Sequence, residues 1–271
     1  MRNNPRPSSM PDATPDPIAR TFDFWHSFTT FTQRCGEASV RTMIDHAHDL
    51  ASVRDATDRL LTAVAKLDNA SVTEPTRLPG WSRGHILAHL ARNADALVNV
   101  LAGRPMYASG DARDADIERD APRPLDVQLA DLRDSAARFQ ETGADPADWS
   151  RTVELRNGVT DSASLVPFRR WIEVELHHVD LGIGYELEDL PAEFVERETD
   201  FLAERFTGHP EVPPTHLTDG TRAWSTGRRD TTSPEVTVTG PAPDLLGWLC
   251  GRRGGSGLTV ADGSLPVLPP L

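Results

Sequence analysis

Cysteine and lysine are nearly missing from this sequence. Cys35 and Cys250 are its only cysteines, and they lie far apart and outside any Cys-x-x-Cys motif. A cysteine-based metal site needs closely spaced pairs, so we expect two free thiols instead of a metal site or a disulfide. Lys66 is the only lysine, so arginine supplies nearly all of the positive charge.

Long apolar runs and an excess of positive charge are also absent. No stretch approaches the about 18 consecutive apolar residues of a membrane span, and residues 1–17 lack the apolar core of a secretory signal. The 41 acidic residues outnumber the 28 basic ones, which gives a net charge of −13. Such a chain repels phosphate backbones. We therefore expect a cytoplasmic protein that binds neither membranes nor nucleic acids.

The composition nevertheless supports a packed core, since 38% of the 271 residues are apolar and 25% are charged. Residues 1–17 are rich in proline, asparagine and serine, and they are expected to form a disordered leader or an extension of the start site. Residues 18–207 are predicted to form a helical bundle. Residues 208–271 are predicted to form a small α+β domain.

Apolar residues that recur every three, four or seven positions predict five helices in the bundle. The helices are expected at about residues 36–67, 82–101, 125–139, 167–183 and 191–206, with polar loop at 103–123. Ser82 is a plausible N-cap for the second helix. Beyond residue 208 the pattern predicts a strand at 235–239, a helix at 241–251 and a second strand at 258–261.

The densest group of polar side chains lies between Trp171 and Asp180, on the fourth predicted helix. Glu173 and His177 are four residues apart, so their side chains share one face of that helix, and Asp180 continues the face. Such a pair can bind one metal ion through a carboxylate oxygen and an imidazole nitrogen.

Glu175 and His178, three residues apart, form a competing pair on the same helix. The helix is apolar nearly all round, which is typical of a buried helix. Periodicity alone therefore does not decide which pair faces a site.

A third ligand should come from another helix. His89 lies on the flank of the apolar stripe of the second helix, next to Asn93, whereas His85 lies toward solvent in the first turn. His89 is the better interior histidine. In the alternative interpretation, Glu173 and His177 form only a helix-surface pair worth a few tenths of a kcal/mol.

Three segments resemble the mycothiol-dependent maleylpyruvate isomerase family. They are LPGWSRGHILAHLARNADAL, RRWIEVELHHVDLGIGYELEDLP and GPAPDLLGWLCGR, which begin at Leu78, Arg169 and Gly240. Their order and spacing agree with the family, and the resemblance covers about residues 38–268. It implies a mainly α fold, in which a DinB-like four-helix bundle is followed by a small α+β domain similar to sterol carrier protein.

The resemblance also implies a metal site. His89, Glu173 and His177 would bind a divalent metal, and the family thereby selects Glu173 over Glu175. Zinc is the expected metal, although two histidines and a glutamate also suit nickel or iron.

Further site residues follow from the same resemblance. Arg252 would correspond to the family's catalytic arginine in the C-terminal domain, with Arg253 as the alternative one residue later. Arg83, Asn93 and Asp180 are predicted to contact the thiol or the substrate.

Three protein ligands leave a fourth metal position open, as in catalytic sites. An external thiol, which is mycothiol in the family, would lose its proton there. It would then add to the cis double bond of maleylpyruvate, and rotation and elimination would give fumarylpyruvate. The alternatives are a mycothiol S-transferase of detoxification or natural-product biosynthesis, and a non-catalytic helical binding module.

Overall fold

The computed structural model describes residues 45–144, 148–229, 235–261 and 263–270. The predicted leader (residues 1–17) lies outside these ranges, as does the beginning of the first predicted helix. The following account concerns the described residues.

The N-terminal part contains six α-helices between residues 46 and 206 of the described chain. They are α1 (His46–Val64), α2 (Arg83–Leu101), α3 (Gly110–Asp120), α4 (Leu125–Ala144), α5 (Val166–Asp180) and α6 (Ala192–Phe206). Helix α2 packs against α4 and α1 packs against α5, while α2 also contacts α5. These four helices form the bundle, and α3 packs against α2.

Helix α3 corrects the prediction of a loop at residues 103–123. Ser109 caps the helix by accepting a hydrogen bond from the backbone N–H of Ala112 at 3.0 Å, and Asp111 lies in the positive first turn. Ile117 is its one buried large apolar residue. The apolar periodicity of this segment is therefore too weak to predict a helix. The stability of α3 depends instead on its N-cap and on its packing against α2.

Local sequence features set the ends of the two helices that matter most for the site. Ser82 is the N-cap of α2, as predicted, and it forms a capping box with His85. Pro167 lies in the first turn of α5. Backbone N–H groups in the first turn have no partner within the helix, so the missing N–H of proline costs no hydrogen bond there.

The C-terminal region contains a four-stranded mixed sheet. Its strands are β3 (Thr215–Thr218), β4 (Ala223–Thr226), β5 (Val236–Thr239) and β6 (Thr259–Ala261), and they lie side by side in the order β4-β3-β5-β6. Strands β3 and β5 are parallel, and the other neighbours are antiparallel. Helix α7 (Ala242–Leu249) packs against α6. The sequence predicted β5, α7 and β6, but β3 and β4 were missed because proline, glycine and threonine dominate their segment.

A short antiparallel hairpin precedes α5. It pairs β1 (Thr152–Glu154) with β2 (Thr160–Ser162). One apolar core runs through both parts of the chain and includes Ile86, Ile172, Phe194, Leu217 and Leu245. The predicted fold class, a mainly helical bundle followed by a small α+β region, is confirmed. None of the described helices combines the length and the apolar character that crossing a membrane requires.

Candidate metal centre

Helix α5 is buried on every side, as its sequence predicts. All of its residues from Val166 to Asp180 are buried, including two arginines, two glutamates and two histidines. Burial of so many polar side chains is costly unless each finds a partner. The partners of Glu173 and Glu175 therefore distinguish the two faces of the helix.

Glu173 lies at the centre of a buried cluster with two histidines. Its Oε2 atom is 2.9 Å from Nε2 of His89 and 3.3 Å from Nε2 of His177. One ligand atom from each of the three residues lies within 4.8 Å of the others. Ligands of a tetrahedral zinc ion with bonds near 2.0 Å are about 3.3 Å apart. The donor set and its spacing therefore fit a divalent metal.

Glu175 belongs to a different network on the other side of α5. It forms an ion pair with Arg59, and it accepts hydrogen bonds from Trp171 Nε1 at 3.0 Å and from the Tyr185 hydroxyl at 2.8 Å. His178 stacks on Tyr185 with ring centroids 4.0 Å apart. The competing Glu175–His178 pair does not form, because Glu175 is already bonded to three other side chains.

Burial and charges favour the protonation states that a metal needs at Glu173 and His89, but not at His177. Burial lowers the pKa of His177, but Asp180 and Glu173 outweigh burial and raise this pKa above its ordinary value. Burial raises the pKa of Glu173, but His89 and His177 outweigh burial and bring this pKa well below its ordinary value. Burial lowers the pKa of His89 to about 4, although the Glu173 carboxylate opposes the shift. An anionic carboxylate beside a neutral imidazole is the form in which both bind metals.

The two candidate arginines of the C-terminal region have different partners. The Arg252 side chain is only 7% exposed. It donates to both carboxylate oxygens of Asp180, from Nε at 3.2 Å and from Nη2 at 2.9 Å. Arg253 forms ion pairs with Asp244 and Glu188 and is more exposed. Of the two, Arg252 is therefore the one joined to the His89–Glu173–His177 cluster, since Asp180 also contacts His177.

Two other predicted site residues lie at opposite ends of the α2–α5 contact. Asn93 accepts a hydrogen bond from Nη1 of the buried Arg170 at 2.7 Å, one helical turn from the cluster. Arg83 donates through Nε to the Leu181 carbonyl at 3.2 Å and pairs with Glu74. These contacts of Arg83 join the beginning of α2 to the end of α5.

Several residues beside the cluster were missed by sequence reasoning. Nη2 of Arg113, on α3, lies 3.3 Å from Nδ1 of His89. Tyr107 forms a side-chain hydrogen bond with Arg113. The Trp81 ring lies with its centroid 5.5 Å from that of His89 and 6.5 Å from that of His177. Arg113 and Tyr107 fall in the segment predicted as a loop. No apolar periodicity in that segment indicated that their side chains lie toward the cluster.

Comparison with known families decides the relationship of this chain. The family model described as "Mycothiol maleylpyruvate isomerase N-terminal domain" matches residues 53–182, and the model described as "MDMPI C-terminal domain" matches residues 189–270. The chain belongs to the mycothiol maleylpyruvate isomerase family. The resemblance predicted from the three sequence segments is thereby confirmed.

Solved structures agree with membership of the mycothiol maleylpyruvate isomerase family. A crystal structure of the mycothiol-dependent maleylpyruvate isomerase is 27% identical to this chain, with a TM-score of 0.75. A mutant of that enzyme gives 26% identity and the same TM-score. Each match covers 83% of this chain and 96% of the solved one. No curated protein matches the chain.

The first family-matched region contains the cluster, and the second places an arginine beside it. His89, Glu173 and His177 lie within residues 53–182, whereas Arg252 lies within residues 189–270. The ion pair between Arg252 and Asp180 joins the two regions beside the metal-ligand candidate His177.

Proposed function

We propose that this protein is a metal-dependent enzyme that activates an external low-molecular-weight thiol, mycothiol, for addition to an electrophilic substrate. The reaction that family membership favours is the cis-trans isomerisation of maleylpyruvate to fumarylpyruvate. The observation that carries the proposal is the buried convergence of His89 Nε2, His177 Nε2 and Glu173 Oε2.

The donor set of two imidazoles and one carboxylate suits zinc, and three ligands leave one position for an exogenous group. When bound, a divalent metal there would stabilise a thiolate at neutral pH. The Asp180 carboxylate accepts a hydrogen bond from Nδ1–H of His177, which leaves the Nε2 lone pair of His177 for a metal. The Arg113 guanidinium only donates and faces Nδ1 of His89, so His89 can offer its Nε2 lone pair once this contact is given up.

The thiol is proposed to come from outside the chain. Cys250 is the one free cysteine among the described residues, and it is buried. Burial raises the pKa of the Cys250 thiol to about 11, so it stays protonated at neutral pH. Its sulfur lies 3.7 Å from the carbonyl oxygen of Gly247, at the end of helix α7. Cys250 is not one of the three residues of the cluster.

The side chains around the cluster are proposed to exclude water and to orient the ligands. The Trp81 ring lies against both histidines, and the exposed fraction of the Glu173 side chain is only 3%. In such an environment, charges interact more strongly than in water. Arg252 stabilises the negative charge of Asp180 and in this way positions His177.

Metal analysis of three purified proteins tests this proposal. The wild type is expected to contain about one equivalent of zinc, and Glu173→Gln to lose it, since a neutral amide is a poor zinc ligand. Glu175→Gln is the matched control, because Glu175 lies on the same helix and is equally buried but belongs to the other network. Its zinc content should equal that of the wild type.

The zinc-containing wild type would then be assayed with mycothiol and maleylpyruvate. Fumarylpyruvate formation that needs both metal and thiol supports the isomerase, whereas a stable thiol adduct would assign an S-transferase. A wild type that stays metal-free after zinc is supplied, or a Glu173→Gln variant that keeps its zinc, contradicts the proposed site.

A further inference from the structure

Arg113 contacts His89 on the side of the ring that is turned away from Glu173. Arg113 lies near the beginning of α3, and α3 packs against α2, which carries His89. The Nη2 atom of Arg113 is 3.3 Å from Nδ1 of His89, while Nε2 of the same ring is 2.9 Å from Oε2 of Glu173. Each ring nitrogen of His89 therefore has a charged partner within hydrogen-bond distance.

These two partners fix the tautomer of His89. A guanidinium only donates hydrogen bonds, whereas an ionised carboxylate only accepts them. Nδ1 therefore offers its lone pair to Arg113, and Nε2 carries the proton that is donated to Glu173. A metal ion at Nε2 needs the lone pair of that nitrogen, so the proton of the neutral ring then belongs on Nδ1. Since Nδ1–H and the guanidinium are both donors, their contact cannot persist in that tautomer.

His177 differs from His89 in this respect. Its Nδ1 atom lies 3.0 Å from Oδ2 of Asp180, and the carboxylate accepts the Nδ1 proton. That hydrogen bond persists when Nε2 of His177 binds a metal, which is the usual arrangement of a histidine ligand and a carboxylate. Of the two histidines, His177 thus has an outer partner that supports metal binding, whereas the outer partner of His89 opposes it.

Arg113 can give up its contact with His89 without becoming an unpaired charge. Its Nη1 atom donates to Asp114 at 2.6 Å, and its side chain is hydrogen-bonded to Tyr107. The exposed fractions of the Arg113 and Asp114 side chains are 11% and 60%, so this ion pair reaches solvent. Metal binding at His89 therefore costs one hydrogen bond of the guanidinium and can leave its other contacts in place.

We propose that Arg113 is a positioning residue that stabilises the cluster without metal and thereby sets the affinity of the cluster for its metal. Arg113 holds His89 in the tautomer with Nε2–H, and the contact is given up when a divalent cation binds. This inference deepens the proposed function and rests on it for the identity of the metal site. It predicts the direction of the effect, because removing this contact should strengthen metal binding, whereas loss of a merely structural side chain should weaken it.

Competition with a chromophoric zinc chelator measures this effect. Arg113→Met removes the donors, and Arg113→Gln also supplies an amide oxygen that can accept a hydrogen bond from Nδ1–H. Each variant is expected to bind zinc about tenfold more tightly than the wild type, since a charge-assisted hydrogen bond no longer stabilises the form without metal. Arg119→Gln is the matched control, because Arg119 lies on the same helix but pairs with Asp116 and Asp120. Its zinc affinity should equal that of the wild type.

Nitrogen NMR spectra of the histidine rings give a second readout that needs no turnover. The signals of His89 are those that disappear in His89→Gln. In the wild type without metal, Nε2 of His89 is expected to carry the proton and Nδ1 to be unprotonated. Addition of zinc should move the proton to Nδ1.

The outcomes separate this inference from the proposed function. Zinc binding by the wild type that is unchanged or weaker in both Arg113 variants overturns the role of Arg113 alone. A proton on Nδ1 of His89 before zinc is added overturns it as well. If neither the wild type nor the Arg113 variants bind zinc, the proposed metal site fails, and this inference fails with it.

Discussion

The carboxylate of Asp180 lies 3.0 Å from Nδ1 of His177. Arg252, from the C-terminal region, contacts the same oxygen at 2.9 Å. Burial raises the pKa of Asp180, but Arg252 and His177 outweigh it and hold this pKa at about 2. With Nδ1 bonded to an anion, His177 keeps Nε2 toward Glu173. The Asp180 carboxylate thus connects Arg252 of the C-terminal region with His177 of the proposed metal site.

Substitution of Asp180 should weaken metal binding without touching a ligand. Asp180→Asn keeps the shape but loses the charge that orients His177, and such partners of metal ligands are worth about 10–100-fold in affinity. Competition with a chromophoric zinc chelator measures the change. Asp58→Asn, at an exposed position on α1, is the control. Equal zinc affinity in Asp180→Asn and the wild type would show that the contact does not position His177.

Substitution of the two neighbouring arginines should have unequal effects on stability. Arg252→Gln leaves the buried Asp180 carboxylate without its counter-charge, and breaking a buried pair in this way costs about 3–5 kcal/mol. Arg253→Gln removes partly exposed ion pairs with Asp244 and Glu188, for which we expect less than about 1 kcal/mol. Urea unfolding measures both. A larger loss in Arg253→Gln would contradict the assignment of Arg252.

The sequence predicted the elements of this fold that have a regular apolar pattern. The helices α2 and α5 were placed within a few residues, and the helix angles identified His89 as the interior histidine. Helix α3 was missed, because Ile117 is its one large buried apolar residue. Strands β3 and β4 were missed since their stability comes from pairing with β5 and from each other, which short-range patterns do not show.

The candidate site was predictable only in part, for a physical reason. Burial of α5 on all sides gives Glu173 and Glu175 the same signal, and the choice between them depends on what α2 and α1 place opposite each one. The family resemblance supplied that choice. Tyr107 and Arg113 could not be found in this way, since their positions beside the cluster depend on the path of the α2–α3 connection and on how α3 packs against α2.

The close approach of α2 to the end of α3 should make Gly84 intolerant of a side chain. A Cβ atom there would lie 2.1 Å from the Ala121 carbonyl oxygen and 2.8 Å from Val72 Cγ1. Since a backbone carbonyl moves only with its helix, Gly84→Ala is expected to cost about 1–3 kcal/mol. Urea unfolding tests this against Gly110→Ala, where a Cβ meets no atom within 4 Å of the described structure. Comparable unfolding free energies for the two variants would refute the packing argument.

A buried acid on α6 should make stability depend on pH. Glu198 is fully buried, and neither carboxylate oxygen has a hydrogen-bond partner among the described residues. Burial raises the pKa of Glu198 from 4.5 to about 8, against the opposing charges of Arg169, Arg252 and Arg205. The folded protein therefore keeps a proton that the unfolded chain releases above pH 4.5.

The sign of this effect follows from proton linkage. The contribution of Glu198 is fully present below pH 4.5 and is lost as pH rises toward the folded pKa of about 8. Glu198→Gln stays neutral, so its melting temperature should exceed that of the wild type by several degrees at pH 8.5 and by much less at pH 5.5. Exposed Glu204, on the same helix, provides the control Glu204→Gln. If the difference between Glu198→Gln and the wild type is the same at both pH values, Glu198 is not protonated in the folded protein, and a partner for its charge must exist.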